Sequence, residues 1–301
     1  MAIASRSAGP RWVRFRREMG AQGPILAAIL LAGLWAAFHL GLSPARLLPS
    51  PPGLRVAHQF FARALSPALD YEASFVPEGT PPLLYRAFAA ARNTVIFAAA
   101  AMSLAVTLGL PLAFLASSAW WAGDPKGAVG PVSRLLRRAL LPACYGAVRL
   151  WIALMRSVHE LLWAVLFLAA FGLNHFSAVL AIVIPYSGTL AKVFSEMIDE
   201  VPRDAAEALR GSGASSLQVF LFGLLPRALP DMGAYAFYRF ECALRSSAVL
   251  GFFGFPTLGY YVASSFENLH YGEVWIYLYT LLALVLIVEL WSSALRRRLV
   301  A

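Results

Sequence analysis

The sequence predicts an all-α integral membrane protein with about six transmembrane helices, and three observations carry that expectation. The 301 residues are 59% hydrophobic and only 14% charged, against roughly 25% charged in soluble domains, and the mean hydropathy is +0.66. Apolar runs near the ~20 residues needed to cross a bilayer recur along the chain. The arginines gather in short stretches between those runs, which is the pattern that orients a membrane protein. The net charge of +9 is therefore a topology signal and not a nucleic-acid footprint. No stretch reads as a soluble catalytic domain.

The elements follow in chain order. Residues 1–23 form a basic N-terminus with Arg6, Arg11, Arg14, Arg16 and Arg17. The apolar run 24–42 is long for a signal-peptide core and no small-x-small cleavage site follows, so it is expected to stay as the first span. Residues 43–84 are rich in proline, including Pro44, Pro49, Pro51, Pro52, Pro81 and Pro82. They read as an external loop in which 54–65 forms an amphipathic helix lying on the membrane. Residues 85–301 form a core of five further spans. These are expected at 85–117, with a kink at Gly109–Pro111, then at 141–172, 176–198, 230–252 and 273–295. Lys126, Arg134, Arg137 and Arg138 mark one cytoplasmic loop, 199–218 a second, and Arg296–Arg298 the tail. The segment 254–272 reads as an external loop. With both termini in the cytoplasm, every dense arginine cluster lies on one side.

Several chemistries find no residues to carry them. Cys144 and Cys242 sit far apart in apolar stretches and are expected as free thiols. His39, His58, His159, His175 and His270 show no ligand spacing, so no metal site is expected. No nucleophile and base cluster as an intramembrane enzyme requires. The chain lacks a Gly-x4-Gly-Lys-Ser/Thr phosphate loop and is not expected to hydrolyse ATP. Catalytic residues and cofactors are expected to be absent.

The polar segment 199–218 is the most informative. Pro202 suits a helix start, Asp204 favours the positive end of the dipole, and Ala205, Ala206, Ala208 and Leu209 are good helix formers. Gly211 and Gly213 can end that helix with a left-handed turn, and Ser212 or Ser215 can cap a second one leading to Pro226. On shape alone this is a helix–turn–helix or a plain solvated connector. Its residues are more specific. Glu207-Ala208, Gly213 six positions after the glutamate, and Leu225-Pro226 resemble the EAA loop of ABC-importer permeases. That pattern is Glu-Ala-Ala, three residues, Gly, nine residues, Ile, one residue, Leu-Pro. Leu209 stands for the second alanine and Gly223 for the isoleucine.

The resemblance implies a type I ABC importer permease fold, in which Glu207, Ala208, Gly213, Leu225 and Pro226 belong to a coupling loop that docks on a separate ATPase subunit. The implied partners are ABC ATPase subunits, a second permease copy or homologue, an external substrate-binding protein and the lipid bilayer. The implied location is the bacterial inner membrane. Arg156-Ser157-Val158-His159-Glu160-Leu161, together with Arg239-Phe240-Glu241, Arg245 and Val249–Phe252, is similar to the permeases of phosphonate-type importers. His159 stands where those permeases usually have proline, and Gly254–Gly259 replaces a more glycine-rich turn. The implied cargo is phosphonate or a related small oxyanion. The alternative is an ion-coupled secondary transporter of small anions, which inverted repeats or paired broken helices would favour.

Charges within spans are costly and are usually paired or functional. Arg149 and Arg156 lie seven apart, on nearly one face and about 10 Å apart along the axis; Arg239 and Arg245 lie in the fifth span. The planar arginine fork suits an oxyanion. The competing reading is structural pairing at i,i+4, Arg156 with Glu160 and Glu241 with Arg245. His159 is either a pH-sensitive gate residue or simply hydrogen-bonded. These seven residues form the candidate substrate pathway.

Overall fold

A computed structural model of the chain describes residues 22–42, 50–118 and 140–300, and among them every regular element is helical. The basic N-terminus and the loop bearing Lys126 and Arg134 lie outside the described residues. The contacts divide the chain into two compact units, Met1–Phe61 and Ala62–Ala301.

The first unit holds α1 (Gln22–His39) and α2 (Pro51–Ala62). Nearly every side chain of α1 is exposed, including Leu30, Leu31 and Trp35, as suits a helix solvated by lipid. Helix α2 starts three residues before the expected 54. Pro51 and Pro52 fall in its first turn, where a missing N–H costs nothing, and the Ser50 hydroxyl accepts from the Gly53 N–H at 3.3 Å.

The second unit contains α3 (Leu83–Ala116), α4 (Leu141–Ser157), α5 (Glu160–Phe171), α6 (His175–Glu200), α7 (Asp204–Gly211), α8 (Leu225–Val249), α9 (Leu258–Glu267) and α10 (Tyr271–Val300). Helices α3 and α6 pack together at its centre. Small residues make that approach close: Ala98, Ala101, Ala105 and Ala113 of α3 are buried against Ile182, Leu190 and Phe194 of α6. Between helices in lipid, van der Waals packing of this kind replaces the hydrophobic drive. Where α3 and α6 end, the Asp199 carboxylate accepts from the Ser117 hydroxyl at 2.7 Å and the Ser118 N–H at 3.0 Å.

Two expectations change. The run 141–172 is one helical region in the sequence but breaks into α4 and α5, bent by 89°. Val158 and His159 are extended, and His159 Nδ1 caps α5 by accepting from the Leu161 N–H at 3.3 Å. The expected loop 254–272 holds α9 instead. A 3-10 turn at Leu250–Phe253 reverses the chain, and the Gly251 and Gly259 backbones then press so closely that a Cβ on either would strike the opposing segment. This hairpin reaches well into the unit: the Leu258 N–H donates to Thr94 Oγ1 at 3.2 Å, about 17 Å along α3 from its start.

By length and composition three helices can cross a bilayer, Leu83–Ala116, His175–Glu200 and Tyr271–Arg298, or four if the bent pair counts as one span. The expectation of about six also counts α1, which is apolar but short, and α8. The 25 residues of α8 are long enough, but they carry Arg227, Asp231, Arg239, Glu241 and Arg245.

Residues 62–82 form a collar on the start of α10. The Glu72 N–H donates to Glu273 Oε1 at 2.8 Å, and the Gly272 N–H donates to Glu72 Oε2 at 2.8 Å. The Ser265 hydroxyl donates to Glu273 Oε2 at 3.0 Å, and the Tyr279 hydroxyl to the Ala64 carbonyl at 2.6 Å. Arg86 lies 4.9 Å from the Tyr71 ring centroid. Burial pushes the Tyr71 hydroxyl pKa up, against the opposing effect of Arg86.

Candidate functional site

Two groups of residues stand out, a handle around α7 and a polar cluster within the spans. The handle forms as its residues dictate. Asp204 and Glu207 occupy the first turn of α7 and Arg210 its last, each charge matched to the helix dipole. Gly213 then turns with φ +87°, a conformation that favours glycine. Ser215 and Gln218 form a reciprocal capping box, and a π-helical stretch Val219–Leu224 leads into α8. Leu225 and Pro226 open α8, with the proline where no N–H is needed.

The handle packs through one face. Ala206 is 2% exposed, whereas Glu207, Ala208 and Gly213 face outward. The two departures from the EAA pattern meet here. A Cβ on Gly223 would lie 3.2 Å from Leu209 Cδ1 and 3.4 Å from the Ala206 Cα. The larger Leu209 thus fills the space that a side chain at 223 would take.

Arg227 clips the handle to α8. Its Nη1 and Nη2 donate to the two Asp204 oxygens at 2.6 and 3.2 Å, and Nη1 also donates to the Pro202 carbonyl at 3.2 Å. That hydrogen-bonded guanidinium holds the Asp204 carboxyl below its ordinary range. Sequence spacing gave no sign of this bidentate pair, because its partners are 23 residues apart.

The seven pathway candidates separate in space. Arg149 is a structural cap: its Nε and Nη2 lie 3.4 and 3.3 Å from the carbonyl of Ala116, the last residue of α3. Neither expected i,i+4 pair forms. The break at Val158 separates Arg156 from Glu160, which instead accepts from the Ser246 hydroxyl at 2.8 Å and faces His159 Nε2 at 3.5 Å. Glu241 faces Arg296 at 3.4 Å, a partner that α10 brings across. Among the described residues, Arg245 reaches only Cys242 Sγ, at 3.5 Å.

Arg239 stacks 4.4 Å from the centroid of the Tyr186 ring, and its buried Nε has no hydrogen-bond partner among the described residues. The Tyr186 hydroxyl is 3.0 Å from Ser246 Oγ, which links it to Glu160. Arg156 is exposed, and its Cγ lies 3.1 Å from where a Cβ on Gly188 would stand. Tyr186, Tyr235 and Ser246 escape a sequence reading because aromatic and small polar residues are ordinary in spans. Beside the handle, Tyr235 also lines a cavity of about 590 Å³ with Glu200, Pro202, Arg227 and Asp231. Among the described residues no group of three or more His, Cys, Asp or Glu side chains could hold a metal.

Residues 87–301 match the family described as binding-protein-dependent transport system inner membrane component. The chain is 28% identical over 281 residues to the phosphite transport system permease protein PtxC of Stutzerimonas stutzeri, covering 93% of this chain and 89% of that protein. It is 28% identical over 234 residues to the phosphate-import permease protein PhnE of Mycolicibacterium smegmatis, covering 78% of this chain and 41% of that one. In fold it is similar to a chain of the inward-facing MetNI methionine ABC transporter, with TM-score 0.59 and 18% identity over 73% of this chain and 99% of the other.

Proposed function

Because this chain belongs to the family of binding-protein-dependent transport system inner membrane components, we propose that it carries phosphonate or a related small phosphorus oxyanion inward, driven through the α7 handle. It is a permease subunit of an ABC importer with the type I permease fold, a transporter and not an enzyme. The cargo reading draws on relatives named for phosphite and phosphate and on the arginines of the span cluster.

The handle geometry carries the coupling assignment. Glu207 and Ala208 point outward from a short helix whose other face is packed and clipped onto the start of α8. A partner that grips the outer face can move α8 as a rigid body. The partner proposed is an ATPase subunit in the cytoplasm of a bacterial cell, so α7 and both termini face inward across six spans. Two such permeases, this chain with a second copy or a homologue, enclose the pathway, and an external binding protein supplies the substrate.

Glu207→Ala and Gly213→Pro are each expected to leave membrane insertion intact and to abolish ATP-driven uptake of phosphite. Uptake at the unmutated rate in both variants would falsify the coupling role. A cysteine placed at Ala208 that reacts only with reagents added from outside the cell would reverse the orientation.

A further inference from the structure

Where α3, α8 and α10 meet, the second unit leaves a groove of about 360 Å³, lined by Ala99, Met102 and Ser103 with Phe237, Phe240 and Trp291. Its α3 wall lies at the middle of that 34-residue helix, and so at the depth of lipid acyl chains. The polar member of the lining, Ser103, spends its hydroxyl hydrogen on the Ala100 carbonyl at 3.0 Å, so the walls suit a hydrocarbon guest. Ala99 and Ser103 are small and exposed, which leaves the mouth open. Trp291, 53% exposed, stands on the rim with its ring edge-on to Phe237 at 5.5 Å.

That rim leads to charge. Arg298 follows Trp291 by seven residues on α10, which puts it on nearly the same helical face, about 10 Å further along the axis. Between them on that face lies Ala294, small and exposed, so no bulky side chain blocks the way. Arg297 and Arg298 are both exposed, and among the described residues neither has an ion-pair partner. Arg296, by contrast, faces Glu241 at 3.4 Å.

We infer that the groove holds an acyl chain of an anionic phospholipid whose headgroup is bound by Arg297 and Arg298. This lipid site is independent of the cargo and of the coupling role. A guanidinium donates paired hydrogen bonds to phosphate oxygens. A zwitterionic headgroup would bring its own cation against the arginines, whereas an anionic one would not. Each arginine near the surface then favours the anionic lipid roughly fivefold. A packed helix is the poorer occupant, since it would need small or apolar neighbours along the whole face, and this face ends in free cations.

The test reconstitutes the full chain in phosphatidylcholine vesicles doped with lipid brominated on its acyl chains, which quenches indole fluorescence on contact. The part of the quenching that Trp291→Phe removes is the signal from the groove. Brominated phosphatidylglycerol is expected to produce half of that signal at about 10-fold lower mole fraction than brominated phosphatidylcholine. Replacing both arginines, Arg297→Gln with Arg298→Gln, is expected to erase the preference. Ser103→Phe, which fills the groove from α3, is expected to remove the Trp291 signal; Ala236→Leu fills it from α8 and takes its place if that variant fails to insert. Equal quenching by the two lipids, or a preference that survives loss of both arginines, overturns the headgroup site. A Trp291 that neither lipid quenches overturns the proposal, as the mark of a groove covered by protein. A full signal in a groove-filling variant that unfolds at the unmutated temperature also overturns it, because the chain then lies outside the groove.

Discussion

The two ends of the second unit use the same chemistry in opposite ways. At the collar, carboxylates bind backbone N–H groups out of solvent: Glu273 is 5% exposed and holds the Glu72 N–H and the Ser265 hydroxyl, while Glu72 holds the Gly272 N–H. At the handle, about 50 Å away along α3, a carboxylate meets an arginine in the open, and Glu207 is left facing outward. Removing a buried carboxylate strands its donors, whereas an exposed ion pair is replaced by water at little cost. The collar is therefore held closed by buried hydrogen bonds, whereas the outer face of the handle is left open.

Substitutions that exchange these properties test the contrast. The largest effect is expected for Glu273→Ala, which strands buried donors. It should lower stability by about 2–3 kcal/mol and open residues 62–82 to limited proteolysis, with Glu273→Gln milder. If cleavage there is unchanged, the collar does not depend on this carboxylate.

An intermediate effect is expected at the handle's packed face. Gly223→Ile should crowd Leu209 and cost about 1–3 kcal/mol. Adding Leu209→Ala should recover most of it and restore the family's pairing at both positions. Strictly additive losses, read by thermal unfolding in detergent, would show that the two sites do not share one space.

The smallest effect is expected for Asp204→Asn. The clip is exposed, so global unfolding should not move measurably, but a spin label at Ser212 should become more mobile, especially at low salt. The pH dependence follows from the lowered carboxyl pKa. The clip is complete above the ordinary value of 3.8 and is lost as pH falls through the lower value that Arg227 imposes. A label as mobile at neutral pH as at pH 2 would mean the clip does not restrain the handle.

Much of this was legible in the chain itself. Apolar runs place α1, α3, α6 and α10 because burial in lipid is summed locally over about 20 residues. The handle was legible because its start, left-handed turn and cap are set by neighbours within a few positions, Asp204, Gly213 and Ser215. The break between α4 and α5 was not legible, since His159 only caps α5 once Val158 is extended. Helix α9 was also missed, because its place depends on Gly251 and Gly259 meeting backbone from the other arm of the hairpin.

Local order along the chain thus determined that this is a helical membrane protein with a helix–turn–helix between α6 and α8, since hydropathy, capping and turn preference act over short distances. Partner choice among charges belonged to the tertiary structure. Helical spacing offered Glu160 to Arg156 and Arg245 to Glu241, yet the folded unit gives Glu160 to Ser246 and Glu241 to Arg296. Electrostatic and hydrogen-bond partners are settled by distance in space, and residues 55 or 86 positions apart come within reach only after α8 and α10 have packed.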